Sequence, residues 1–410
     1  MTGASGIRDI HLRKIYDSRG NPTVEAEIRI ENGTMGRAAS PSGASTGRHE
    51  VRAFPEGGVD AAIAHFLERG RPRLLGSPVD DQAAFDGHLK ELDGTPDLSY
   101  FGGNTCTALS VALSRALAAS RGVPLWKAIP QSAGHPSRPP ALVGNVMNGG
   151  VHAVGGPDIQ EYIAYVEAPT ARAEVEAVVA VHRAVGRRLR TRFPKAALGR
   201  GDEGGWVAPL GNVEALEILG ESCAEVRDER RSQGVSVRPG LDLAASEFYQ
   251  DGRYRYKDQT LDPQGQLGFV LHLVDRYGLA YVEDPFDQDD MDHFAALTAQ
   301  LSPGDALVVG DDLYTTNPRR VEEGIQRRAT NAVLIKVNQV GTLTDTLETV
   351  SRTRAAGWKT VTSHRSGEVP DAWLPHLAIA FGSRGLKCGV LGGERIAKLN
   401  ELVRVAEAET

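Results

Sequence analysis

The stretch LAYVEDPF, residues 279–286, decides the fold: a short apolar run stops on Glu283, and a second acid and a proline follow at once. A run of that length suits a strand and not a helix, and Pro285 cannot donate to a continuing ladder. The same grammar recurs through the second half of the chain. Asp242 lies in GLDLAASEF, Asp311 in VVGDDL, Lys336 in LIKVNQ, His364 in TSHRSGE and Lys387 in GLKCGV. From Asp242 through Glu283 to Lys387 the successive spacings are 41, 28, 25, 28 and 23 residues, about one strand–helix unit each. Apolar runs at 142–147, 159–166, 240–243, 279–282, 306–309, 332–337, 360–362 and 386–390 alternate in part with helical patterns at 172–192, 213–231 and 343–355. Alternation of this kind predicts parallel pairing, and about eight strands predict a closed α/β barrel. An open doubly wound sheet is also compatible with the pattern. One charged strand end is an ordinary polar cap. Six in successive units, all on the carboxyl face of a parallel barrel, mark a catalytic mouth.

Upstream the rhythm differs. Residues 23–30, TVEAEIRI, alternate apolar and polar as a half-buried strand does, and Asn32-Gly33 follows as a turn. Residues 105–121 lack proline and glycine until the next turn and predict a largely buried helix. PQSAGHPSRPP, 130–140, is the linker candidate. The expected organisation is an N-terminal α+β domain over 1–130, a linker over 131–140 and an α/β barrel over 141–410.

The chain has 410 residues, 41% of them hydrophobic and 24% charged, enough to bury a large core, which excludes disordered, collagen-like and disulfide-scaffold classes. A net charge of −7 argues against binding nucleic acid through phosphate neutralisation. Cys106, Cys223 and Cys388 are too far apart for a zinc ribbon or a disulfide framework. No apolar stretch reaches membrane-spanning length and the first residues lack a signal-peptide core, so a cytoplasmic enzyme acting on a small molecule is expected, with no membrane or nucleic-acid partner.

Asp242, Glu283 and Asp311 offer only hard oxygen ligands, a donor set that selects Mg²⁺ or Mn²⁺ over Zn²⁺. The competing reading is ordinary ion pairing of these acids with Lys336 or Lys387. A lysine near a second lysine and a dication would have a depressed pKa, so Lys336 is expected to act as a neutral base. SGASTG, 42–47, is a mobile-loop candidate; it also satisfies G-x-S-x-G, but Pro41 interrupts the strand that a nucleophile elbow requires. GDEGG, 201–205, sets Asp202 and Glu203 on a flexible backbone, and NGGVHA, 148–153, sets His152 beside two glycines. No P-loop, HExxH or dinucleotide-binding glycine fingerprint is present in the sequence.

Taken in order, YDSRGNPTVE (16–25), SGASTG (42–47), NGG-x-HA (148–153), IQE (159–161), GDEGG (201–205), GLD-x-AASEF (240–248), EDPF (283–286), DDL-x-x-TNP (311–318), KVNQ-x-GT (336–342), SHRSGE (363–368) and ER-x-AKLN (394–400) resemble the enolase family across nearly the whole chain. The resemblance implies an N-terminal α+β domain capping an enolase-type, TIM-like eight-stranded barrel. It also implies a homodimer with Glu25 and Arg404 paired across the interface. It implies Asp242, Glu283 and Asp311 as Mg²⁺ ligands, with Ser45 closing over the substrate and helping to hold a second Mg²⁺. Lys336 is implied as the base and Glu203 as the general acid. His152, Gln160, Glu161, His364, Arg365, Ser366 and Lys387 are implied as substrate-binding residues. A Lys or His base with one or two Mg²⁺ ions is the established pattern of the enolase superfamily.

The departures lie around these positions. Trp206-Val207 adds a residue after GDEGG, Leu210 stands where the family has asparagine, and the segment after Lys387 shortens to CGVLGG (388–393), which loses an arginine. Such changes bear on substrate shape, so the expected activity is dehydration of 2-phosphoglycerate to phosphoenolpyruvate. The alternative is a paralogue of the carboxyphosphonoenolpyruvate synthase branch, acting on a phosphono-glycerate analogue in phosphonate biosynthesis. A remote alternative is a non-catalytic binding protein of the same fold, which would be expected to have lost at least one of Lys336, Glu203 or the three metal acids.

Overall fold

The computed structural model describes residues 6–44, 46–78, 81–130, 139–302 and 304–408. Three antiparallel strands, β1 (Ile7–Tyr16), β2 (Pro22–Ile30) and β3 (Met35–Ala39), open the chain in the order β1-β2-β3. The alternation read at 23–30 is realised: Val24, Ala26, Ile28 and Ile30 are wholly buried. They pack under α1 (Gly103–Ser120), an Ala- and Leu-rich helix buried along most of its length. The approach is close enough that a Cβ on Gly36 would stand 2.0 Å from the Ala112 carbonyl, so only glycine fits there. Most of the linker candidate, 131–138, lies outside the described residues.

Eight strands then close a barrel: β4 (Ala141–Asn148), β5 (Glu161–Glu167), β6 (Ser236–Asp242), β7 (Tyr281–Glu283), β8 (Leu307–Gly310), β9 (Ala332–Ile335), β10 (Lys359–Ser363) and β11 (Gly385–Gly389). Pairing of β11 with β4 completes the ring, so the open sheet is excluded. The expectation of parallel pairing throughout is corrected at one strand, because β5 runs antiparallel to both β4 and β6. The reason is local. Between β4 and β5 the chain makes only one short 3₁₀ turn, Gly150–His152, and a parallel return needs a crossover element it does not have. Two helices, α2 (Ala171–Arg192) and α3 (Asn212–Arg230), then follow β5 in succession. Between them a small hairpin, Gly199–Arg200 with Trp206–Val207, joins the sheet beside β4 and presents GDEGG at its tip.

Side chains filling the barrel include Val143, Ile163, Tyr165, Tyr281, Val309 and Leu334. A strand alternates its faces with period two. The residue two places beyond Tyr281 is therefore Glu283, beyond Val309 it is Asp311, and beyond Leu334 it is Lys336, all aimed into the mouth above the packed interior. Asp242 and Lys387 stand two places beyond Gly240 and Gly385. The N-terminal domain covers this mouth: the backbones of Ser42 and Gly367 exchange hydrogen bonds of 2.7 and 2.8 Å, Ser18 donates to the Glu368 carbonyl, and Val51 donates to that of Gln339. No helix among the described residues is long and apolar enough to cross a membrane.

Candidate active site

The antiparallel strand explains how Gln160 and Glu161 reach the mouth. They stand at the start of β5, which is the end lying beside the carboxyl termini of its neighbours, and Glu161 is paired in register with Asp242. The mouth thus collects His152, Gln160, Glu161, Glu203, Asp242, Asp311, Lys336, His364, Arg365, Ser366 and Lys387 around one cavity, with Glu283 at its floor. Ser45 lies outside the described residues. Among the described residues no helix follows SGASTG until Gly58, so the helix that a nucleophile elbow requires directly after its serine does not form there.

Lys387 is the electrostatic hub. Its ammonium lies 2.9 Å from Asp242 Oδ2, 2.8 Å from Glu283 Oε1 and 3.1 Å from Glu161 Oε2. Burial opposes its charge, but the three acids outweigh burial and hold its pKa well above the usual lysine range. Lys336 is ion-paired to Asp311, which also accepts from Gln339 Nε2 at 2.9 Å. Burial would depress the Lys336 pKa, yet Asp311 raises it above the ordinary value. The depressed pKa expected from sequence rests on a dication beside this lysine; its direct carboxylate partner acts in the opposite sense.

Acids outnumber bases in this cavity. Burial and then the Asp242 charge push the Glu283 carboxyl up to about 8, and Tyr281 supports it from below with a hydroxyl donated to Glu283 Oε2 at 2.5 Å. Asp242 Oδ1 accepts the Ala244 amide at 3.0 Å. Asp284, at φ 41°, turns its carboxylate back to accept the amides of Asp311 (2.9 Å) and Asp312 (2.7 Å), which fixes the turn that presents Asp311. Excess buried carboxylate of hard-oxygen type, whose negative charge two ammonium groups only partly meet, fits a divalent cation such as Mg²⁺.

Opposite the lysines, Glu203 accepts from Asn145 Nδ2 at 2.9 Å and lies 3.1 Å from His364 Nε2. His152 Nδ1 sits between Glu161 (3.8 Å) and Glu203 (3.9 Å). Burial and the neighbouring Glu203 charge push Glu161 well above the carboxylate range. For Glu203 burial acts the same way, but the imidazoles of His364 and then His152 outweigh it and hold the group well below that range.

Arg365 is held by two 3.0 Å bonds to Glu50 and a third to Asn338 Oδ1 at 3.0 Å. The Ser366 hydroxyl accepts the Ala44 amide at 2.6 Å, which ties the SGASTG segment to the barrel. Sequence reading missed Glu50, Asn145, Asn338, Tyr281 and Asp284 as site-shaping residues. Asn338 and Asp284 lie inside motifs quoted for other members, and Glu50 stands just beyond SGASTG. Asn145 and Tyr281 are single polar atoms within apolar runs, which periodicity alone assigns to the core. Glu25 on β2 pairs with Arg13 at 2.5 Å, and Arg404 pairs with Glu401 at 2.7 Å near the end of the last helix.

Trp206 and the shortened segment after Lys387 pack behind the site. The Trp206 ring lies against Gly186, its indole N–H donates to the His182 carbonyl at 2.9 Å, and Arg190 and Arg200 lie over it at 5.0 and 5.2 Å. The CGVLGG segment packs tightly on the GDEGG loop: a Cβ on Gly204 would meet the Leu391 carbonyl at 2.0 Å, and one on Gly389 the Glu203 carbonyl at 2.1 Å. Shortening therefore does not open space at this contact.

Comparison with known proteins agrees with this geometry. The family model described as the N-terminal domain of enolase matches residues 7–129, and that described as the C-terminal TIM barrel domain of enolase matches 139–410. The chain is 44% identical over 405 residues to an enolase of Thermoplasma acidophilum, covering 98% of this chain and 99% of the relative. It is 46% identical to enolases of Methanocorpusculum labreanum (98% and 99% covered) and Methanothermobacter thermautotrophicus (98% and 96% covered). With both domains matched and relatives aligned over nearly their whole lengths, the chain belongs to the enolase family of phosphopyruvate hydratase lyases.

Proposed function

We propose that this chain dehydrates 2-phosphoglycerate to phosphoenolpyruvate in the cytoplasm, with Lys336 as base and Glu203 as general acid, as a homodimer holding two Mg²⁺ per site. The reading is carried by one observation: Lys336 and Glu203 line the same buried cavity from opposite partners, one backed by Asp311, the other by His364 and Asn145. Asp242, Glu283 and Asp311 would hold the tighter ion, and Ser45 would contribute to the second. Bound there, Mg²⁺ supplies positive charge that stabilises negative charge built on a substrate carboxylate.

Lys336 removes the proton alpha to the carboxylate. Its ammonium form depends on Asp311, so commitment of Asp311 elsewhere withdraws the partner that keeps Lys336 charged. Lys387 neutralises the carboxylate end of the substrate, and Arg365, held in orientation by Glu50 and Asn338, receives the phosphate with Ser366 beside it. His152, Gln160 and His364 line the remaining wall. Glu203 protonates the departing hydroxyl: entry of an anionic substrate beside it raises the cost of its charge and favours its protonated form. Closure of the SGASTG segment over Ser366 excludes water.

The phosphonate-branch alternative is not favoured, because the relatives are enolases over their full length and the departures at Trp206 and after Lys387 pack behind the cavity. A binding-only role is opposed by the presence of every implied catalytic and metal residue. The dimer is supported by a groove of about 730 Å³ beside Glu25, lined by Ile15, Met35 and Leu125 together with Arg37, Arg115 and Asp371. Ultraviolet absorbance of the enol product, with Mg²⁺ and 2-phosphoglycerate, tests the activity. Lys336→Ala should lower kcat by about 10²–10⁴-fold, and full turnover in that variant would remove Lys336 as the base.

A further inference from the structure

We infer that Arg395 is a positioning residue that fixes the tautomer of His364, keeping its Nδ1 as an acceptor and its ring proton on Nε2, toward Glu203. The inference rests on the reading above, in which Glu203 and His364 face the reacting substrate.

Arg395 stands on α4 (Gly393–Glu407) and is wholly buried. An arginine with no solvent contact must spend its donors on the protein. One terminal nitrogen of its guanidinium lies 2.7 Å from His364 Nδ1 and donates to the Arg365 carbonyl at 2.6 Å. The other donates to the carbonyls of Ser366 (2.6 Å) and Asp202 (3.2 Å). A guanidinium carries donors only and does not lose its charge in a protein. The nitrogen it meets on His364 must therefore be an acceptor. The Gly389 amide donates to the same Nδ1 at 3.2 Å, a second and independent donor on one lone pair. The ring proton is left on Nε2, 3.1 Å from Glu203 Oε2.

A proton added to Nδ1 would face two donors and a fixed positive charge. His364 is thereby closed as a route for carrying protons to Glu203, and its neutral ring faces the carboxylate at 3.1 Å. The groups around the ring act in opposite senses. Glu203 on the hairpin tip and Glu368 on the ring's own loop favour the imidazolium, while Arg395 from α4 opposes it; Lys387 on the adjacent β11 directs its ammonium to the acids and offers His364 only a carbonyl. Burial decides the balance and pushes the ring down to about 4. The same guanidinium spans Asp202 and residues 364–366, so it also sets the distance between the acid loop and the substrate-binding loop.

The test is long-range ¹H–¹⁵N correlation of the full-length protein labelled with ¹⁵N-histidine, without substrate, from about pH 5.5 to 8.5 around the ordinary histidine pKa. The His364 signal is assigned by its loss in His364→Gln. The expected spectrum is Nε2-protonated and constant across the range; an Nδ1-protonated ring, or an imidazolium appearing within it, overturns the inference. In Arg395→Gln the charge that opposes the imidazolium is gone while burial remains, and His364 should begin to titrate at a higher pH than in the wild type. The kcat profile should gain an acidic limb there, with kcat falling on the order of 10²-fold from misplacement. Arg395→Lys, which retains a charged donor, should restore the tautomer. An unchanged tautomer and pH profile in Arg395→Gln would overturn the proposal, and if that variant does not fold, the wild-type and Arg395→Lys spectra decide. Because the tautomer is read in the resting protein, an inactive wild type with the expected spectrum refutes only the catalytic reading.

Discussion

Replacing Lys398 with methionine should cost this protein about 3–5 kcal/mol, the usual penalty for stranding one member of a buried ion pair. Lys398 Nζ lies 2.6 Å from Glu368 Oε2, and both side chains are only 3% exposed. Lys398 also donates to the carbonyls of Val369 and Asp371, each at 2.9 Å, while Glu368 accepts the amides of Arg365 (3.2 Å) and Val369 (3.1 Å). The pair thus braces the loop that carries His364, Arg365 and Ser366. Burial alone would raise the Glu368 pKa, but Lys398, and then Arg395, hold it below the ordinary value. A depressed carboxyl contributes stability that is complete above its unfolded pKa and is lost as pH falls through the folded one. In Lys398→Met burial prevails, the folded pKa rises, and the sign reverses: the variant should lose more stability at pH 8 than at pH 5. Urea unfolding at both pH values measures this through the midpoint at constant m. Glu368→Gln added to Lys398→Met should recover most of the loss. A single-variant loss under about 1 kcal/mol, in the range of an exposed pair, or a double variant no better than the single, would refute the argument that buried charge balance holds this loop.

Three further outcomes are expected. Tyr281→Phe removes the hydroxyl that orients Glu283 and should weaken Mg²⁺ binding about 10–100-fold by calorimetry, while the packed ring keeps the fold unchanged by circular dichroism. Gly204→Ala forces alanine into φ 79° and drives its Cβ into the Leu391 carbonyl; the backbone conformation alone costs about 1–2 kcal/mol, and kcat should fall because the displaced loop carries Glu203. Arg404→Glu should shift the species seen by sedimentation toward monomer without changing Mg²⁺ affinity; a dimer of unchanged strength would remove Arg404 from the interface.

The strand ends were legible because a barrel strand is short and fully buried, so a charge there interrupts an apolar run visibly. Asp242, Glu283, Asp311, Lys336 and Lys387 all stood out for that reason. Helix α1 and the alternating strand β2 were legible through their own periodicity. The direction of β5 was not, because its apolar content is the same whichever way it runs, and the deciding feature is a connection too short to cross over. The residues behind the site were hidden for a related cause. Arg395 and Lys398 repeat along a helix as ordinary basic residues do, and Tyr281 is one more large side chain in a core run.

By itself, then, the sequence determined the repeated strand–helix units, the set of acids and lysines at their ends and the family to which those motifs belong. Local composition suffices for these, since each depends on residue type and spacing within a few tens of residues. Tertiary structure alone decided that β5 turns Glu161 to face Asp242, that Asp311 is the direct partner of Lys336, that His364 and Asn145 flank Glu203, and that Arg395 commits His364 to a single tautomer. These are matters of Coulomb energy and hydrogen bonding between groups far apart in the chain, and burial in a common low-dielectric cavity gives those interactions their strength.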